Sequence, residues 1–131
     1  MEGLNGKTVA LWGLAFKPDT DDIREAPALY IIDALLKAGC KIQAFDPEAM
    51  ENVKELYGDK ISFVENQYEA VENSDFLVIA TEWQVFRTPD FNRMKSLIAD
   101  KVIFDGRNLY DLEDMKKLGI RYESIGRETI N

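Results

Sequence analysis

Histidine is absent from this 131-residue chain. With it go the commonest general base and metal ligand, and every nucleophilic scheme built on Ser-His-Asp or Cys-His. Cysteine occurs once, at Cys40, so no disulfide can form within the chain, and a reduced, cytoplasmic setting is the expectation. No apolar run approaches the ~18 residues of a membrane span, and the opening Met-Glu-Gly-Leu-Asn-Gly-Lys lacks the apolar core of a signal peptide. Basic residues are also few: 16 against 24 acidic ones, a net charge of -8. A surface of that sign repels a phosphate backbone and speaks against nucleic-acid binding. One local pocket for a small anion remains compatible with it.

What is present is the composition of a single globular domain, 46% hydrophobic and 31% charged. Short apolar runs alternate with segments of helical period along its whole length. Strands are expected at 7–12, 41–45, 61–64, 75–80, 102–104 and 120–124. Helices are expected at 27–38, 48–57, 68–72, 90–98 and 112–118, the first opened by Pro27 and stopped by Gly39. That first helix is apolar on most sides, through Leu29, Tyr30, Ile31, Ile32, Leu35 and Leu36, and should be well covered. Strict β-α alternation with apolar strands predicts an α/β fold. The expected form is a Rossmann-like, doubly wound, mainly parallel sheet with helices on both faces. Ligands of such folds bind beyond the carboxyl ends of the strands.

The loop after the first strand decides which ligand. A dinucleotide-binding turn would carry G-x-G-x-x-G; here Gly13, Ala15 and Pro18 stand at those spacings. Asp46 ends the second strand, where a ribose-binding acid would sit. With one glycine left and a long loop, NAD binding by this domain alone is disfavoured. The loop reads G-L-A-F-K-P-D-T-D-D-I-R-E-A-P over 13–27, with Lys17 and Arg24 its only cations among Asp19, Asp21, Asp22 and Glu25. By spacing alone it is an acidic, turn-rich loop neutralised by its two cations. The three aspartates match no calcium loop, which would end in a glutamate.

That same run resembles the signature of the C-terminal domain of the UDP-glucose/GDP-mannose dehydrogenase family. The resemblance continues in Ala44-Phe45-Asp46-Pro47, where the family more often has tyrosine before the Asp-Pro pair. It recurs in Thr81-Glu82-Trp83 with Phe86, in Phe104-Asp105-Gly106-Arg107-Asn108, and in Ile125-Gly126-Arg127. It implies one UDP-sugar-binding domain over 1–131, with the NAD-binding and central domains of a longer oxidoreductase outside this chain.

The resemblance also implies roles. Phe16 and Lys17 would bind the UDP-sugar, a lysine being a compact cation suited to a diphosphate. Arg107 would contact the same ligand; its plainer reading is a surface arginine paired with Asp105. Arg24, just ahead of a helix N-terminus, would touch NAD held mainly by the other domain. Trp83 would either cover the sheet or edge the crevice. No catalytic residue is implied in this chain: Cys40 lies outside every motif and reads as an ordinary buried residue. The implied partners are UDP-glucose, the N-terminal catalytic domain and further copies of the full-length protein. The form T-D-D-I-R-E-A-P with F-D-G-R-N-L-Y favours UDP-glucose over GDP-mannose or UDP-N-acetylmannosamine. A stand-alone nucleotide-binding module is the alternative of another class.

Overall fold

A computed structural model describes residues 5–124, so the Ile125-Gly126-Arg127 motif lies outside the described residues. The order of elements is β1 (Thr8–Trp12), α1 (Pro27–Lys37), β2 (Lys41–Phe45), α2 (Met50–Tyr57), β3 (Ser62–Phe63), α3 (Gln67–Val71), β4 (Phe76–Ile79), α4 (Gln84–Arg87), α5 (Phe91–Leu97), β5 (Val102–Asp105), α6 (Leu112–Leu118) and β6 (Arg121–Ser124). All five strand pairings are parallel, in the order β3-β2-β1-β4-β5-β6. This is the doubly wound arrangement with helices on both faces of a parallel sheet that the sequence leads one to expect.

Helix starts follow side chains that catch free N–H groups. Asn66 accepts from the N–H of Tyr68 and Glu69 to open α3. Asp90 does the same for Arg93, and Asp111 for Glu113 and Asp114. Three expectations need correction. α2 begins at Met50 rather than 48, because the Glu48 and Ala49 N–H groups are held by the Asp46 carboxylate at 2.8 Å. The sequence gives no sign of the four-residue α4, which is too short to show a period. And α1 is not well covered: Tyr30 on it is 70% exposed, and only Ala28 and Ile32 are buried.

Each strand returns by a right-handed crossover, which sets α1 and α2 on one face and α3, α5 and α6 on the other. Trp12 points to the second face, stacked on Phe86 at 5.0 Å, with its indole N–H donating to the Gln67 carbonyl. Tyr110 donates to the Phe86 carbonyl and packs on Phe91 and Tyr122. Leu77, Ile79, Met94, Ile103 and Met115 complete this buried layer. The strand order reverses between β1 and β4, and the loops leaving that edge carry the motifs.

Candidate functional site

β1 ends at Gly13, whose φ is +98° and whose N–H donates to the Phe45 carbonyl at 2.9 Å. A Cβ there would lie 2.6 Å from the Thr81 backbone nitrogen, so the position requires glycine twice over. Thr81 is buried and donates from its hydroxyl to the Ala15 carbonyl at 2.8 Å. The loops after β1 and β4 are thus stitched together at the switch point.

Asp46 holds the same junction from β2. It is fully buried, and its carboxylate accepts five hydrogen bonds. Leu14 N–H (2.7 Å), Ala15 N–H (3.1 Å) and the Trp83 indole N–H (2.9 Å) meet one oxygen; Glu48 and Ala49 N–H meet the other. A dinucleotide-binding domain would aim the N–H groups of this turn at a pyrophosphate. Here an internal carboxylate takes them, so they have nothing left to offer a phosphate. Asp46 therefore binds backbone rather than ribose, and Trp83 is a buried support for it.

Beyond Ala15 the chain turns outward. Phe16 N–H donates to the Asp22 carbonyl at 2.7 Å, closing a loop whose tip leaves Phe16 47% exposed and Lys17 exposed. Among the described residues Lys17 makes no hydrogen bond or ion pair. The other cation is engaged: Arg24 donates from its backbone and Nε to one Asp22 oxygen and from Nη2 to the other, at 2.9–3.1 Å. Its side chain is 88% exposed. The expected neutralisation of the loop by both cations is therefore the work of Arg24 on Asp22, with Lys17 adding only a long-range field.

The Arg24 guanidinium lowers the Asp22 carboxyl from 3.8 to about 2, its hydrogen bond being the largest cause. Since this folded value lies below the unfolded one, the contact is present above pH ~4. It is lost as pH falls toward 2. Carboxyl NMR should find Asp22 titrating near 2 and Arg24→Ala returning it toward 3.8; an unmoved midpoint in the variant would refute the contact.

β5 delivers the third loop. Asp105, buried at its end, accepts from the Arg107 N–H (2.7 Å), the Leu109 N–H (2.7 Å) and the Tyr122 hydroxyl (2.5 Å). Gly106 N–H donates to the Ile79 carbonyl, tying this turn to β4. Arg107 then reaches Glu82 in a two-toothed fork, Nε at 2.6 Å and Nη2 at 3.0 Å. The side-chain partner is thus Glu82, not Asp105, whose oxygens are occupied by backbone and tyrosine. The Glu82 hydrogen bond raises the arginine above its ordinary value, so it stays charged at every working pH.

Phe16, Lys17, Arg24, Glu82 and Arg107 therefore share the carboxyl-end rim of one sheet. The Ala15–Thr81 and Glu82–Arg107 hydrogen bonds link the Lys17 loop to the Arg107 loop through the β4 connection. Beside Arg107 opens a mostly apolar cavity of about 490 Å³ bounded by α1, β4, β5 and β6. A polar hollow by Trp83 is lined by Asp19, Thr20, Asp21 and Glu48; its acids would repel a diphosphate. Cys40 is buried, and burial pushes its thiol up, which leaves it unreactive. Among the described residues no cluster that could hold a metal ion is found, and no helix is long and apolar enough to cross a membrane.

The decisive likeness covers most of the fold: residues 10–112 match the UDP-glucose/GDP-mannose dehydrogenase family, UDP binding domain. The chain belongs to that family. Within it, the chain is 46% identical over 127 residues to a UDP-glucose 6-dehydrogenase of Pseudomonas aeruginosa, covering 93% of this chain and 28% of that protein. It is 38% identical to the UDP-glucose 6-dehydrogenase TuaD of Bacillus subtilis, over 99% of this chain and again 28% of the relative. Among solved structures, a UDP-glucose dehydrogenase from Pyrobaculum islandicum superposes with a TM-score of 0.77 at 33% identity, over 92% of this chain and 26% of that one. An NDP-N-acetyl-D-galactosaminuronic acid dehydrogenase from Methanosarcina mazei gives 0.82 at 31% identity, over 95% and 26%. The chain spans little more than a quarter of the length of these relatives.

Nothing local in the sequence marked Glu82 as the partner of Arg107, 25 residues away. Asp46 stood in a visible motif, but its place invited the wrong role.

Proposed function

We propose that this chain is the UDP-sugar-gripping wall of a longer NAD-dependent dehydrogenase that oxidises UDP-glucose to UDP-glucuronate. Membership of the family supports the nucleotide. The carrying observation is the rim itself, where an exposed lysine and an arginine held by Glu82 arrive from separate β-α connections onto one edge. Lys17, exposed and with no partner among the described residues, supplies a cation to the diphosphate, and Phe16 offers an exposed ring beside it. Arg107 has two of its donor edges on Glu82 and presents the remainder to the ligand. In a protein of net charge -8, such local cations are what make an anion's approach favourable.

The whole oxidation takes the C6 alcohol to a carboxylate in two hydride transfers with addition of water, and NAD is the hydride acceptor. This chain carries no step of that chemistry; it orients. NAD would rest mainly on the other domain, since the switch-point N–H groups here are consumed by Asp46, and Arg24 would reach across to it. A cytoplasmic, oligomeric full-length enzyme completes the reading. The isolated chain should give no NADH from UDP-glucose and NAD while the full-length protein does; turnover by the isolated chain would overturn the division of labour. In the full-length enzyme, Arg24→Ala should raise the KM for NAD more than that for UDP-glucose. The reverse order would mean the two ligands are exchanged.

The sugar could differ within the same frame, for the Methanosarcina mazei enzyme superposes somewhat better than the UDP-glucose dehydrogenase of Pyrobaculum islandicum. Steady-state kinetics with UDP-glucose, UDP-N-acetylated hexosamines and GDP-mannose decide it, and a preference for any but the first would replace the substrate and leave the site.

A further inference from the structure

Among the described residues, α1 and α2 are the helices on their face of the sheet, and the apolar side chains that β4 and β5 turn to that face are incompletely covered: Phe76 is buried, but Val78, Val102 and Phe104 are half-buried. Toward the other edge, Phe76 and Val78 of β4 and Val102 and Phe104 of β5 continue the apolar layer that Leu35 and Ala38 of α1 begin. Right-handed crossovers put α3, α5 and α6 on the opposite face, so α1 is the helix that borders this half. Along that border lies the 490 Å³ cavity, with Pro27 and Ile31 on its α1 side and Val78, Ala80 and Phe104 on its floor. Tyr30, one turn from Pro27, stands 70% exposed. Parallel sheets are ordinarily buried on both faces. A groove of this shape, between a helix flank and an apolar floor, takes the apolar stripe of an amphipathic helix.

We infer that this half-face is the seat of an amphipathic helix from the part of the longer polypeptide that lies outside this chain, with its apolar stripe on Tyr30, Ile31, Val78 and Phe104. The inference rests on reading the chain as one domain of a longer dehydrogenase. Two observations choose this occupant. Relatives carry roughly 70% of their length outside the matched region, and a segment tethered in the same polypeptide docks at an effective concentration of about millimolar. A second copy would have no tether and would bring two bodies of net charge -8 together. The helix also explains why α1 is apolar on more sides than the described residues cover.

Photo-cross-linking of the full-length protein tests the seat without disturbing it. Tyr30 is replaced by p-benzoylphenylalanine, the protein is irradiated, and the adduct is mapped by peptide mass spectrometry. The expected result is an adduct within one subunit to a segment of helical period outside this chain. An adduct to a second copy, an adduct to residues 125–131, or no adduct would each overturn the inference. Calorimetry with UDP-glucose on the same protein keeps the two readings apart. An internal adduct without UDP-glucose binding removes the nucleotide site and leaves the seat; binding without that adduct does the opposite.

Discussion

Asp46→Ala should cost the domain about 4 kcal/mol or more and lower its urea midpoint accordingly. Five donors lose their acceptor at once, four of them backbone N–H groups at a fully buried junction. A buried donor left without a partner costs about 1–3 kcal/mol, and water entering the vacated space recovers part of the sum. Against a typical total of about 5–15 kcal/mol, such a loss brings the fold near its limit. Asp46→Asn separates the two oxygens: one acceptor survives, while the amide faces N–H groups with its own donors. It should fall between wild type and alanine. Unchanged urea midpoints in both variants would show that the five hydrogen bonds contribute nothing net. The effect should extend to ligand binding, because the Leu14 and Ala15 N–H groups that Asp46 holds directly precede Phe16 and Lys17.

The second large effect belongs to the rim. Lys17→Ala and Arg107→Ala should each weaken UDP-glucose binding to the full-length enzyme by about 1–3 kcal/mol, a factor of about 5 to 150. The two losses should differ in kind. Lys17 is exposed and has no partner among the described residues, so its removal takes away a point charge, and that loss should shrink with added salt. Arg107 is half-buried and pinned by Glu82, so its removal also strands a carboxylate beside the ligand. Glu82→Gln isolates that contribution: the arginine keeps a neutral acceptor but loses its ionic clamp. Arg107→Ala should therefore cost more affinity than Glu82→Gln, and equal costs would mean that the clamp, not the arginine, serves the ligand.

Much of this was legible in the residues. The central strands stand out as short apolar runs, and the helices by their period and, for α1, by Pro27 at its start; the caps supplied by Asp90 and Asp111 are seen only in the structure. The motifs at 13–27, 81–83 and 104–108 fell at strand ends, where a doubly wound fold puts its ligands. What stayed hidden was whatever depends on distant residues. The register that brings Ala15 to Thr81 spans 66 positions, and the fork between Glu82 and Arg107 joins two connections with no shared pattern. Asp46 shows the same limit in one side chain. Its place after β2 suggested a ribose ligand, but which way a carboxylate turns depends on where five other N–H groups arrive. α1 is apolar on most sides, which points to good cover; what no local pattern reveals is that the described residues leave Tyr30 on it 70% exposed.

The most direct measurement is calorimetric titration of UDP-glucose into the full-length protein and into its Lys17→Ala and Arg107→Ala variants. Both substitutions should weaken binding by a factor of about 5 to 150 with the fold intact. Wild-type affinity in both variants would contradict a nucleotide-sugar site on this rim.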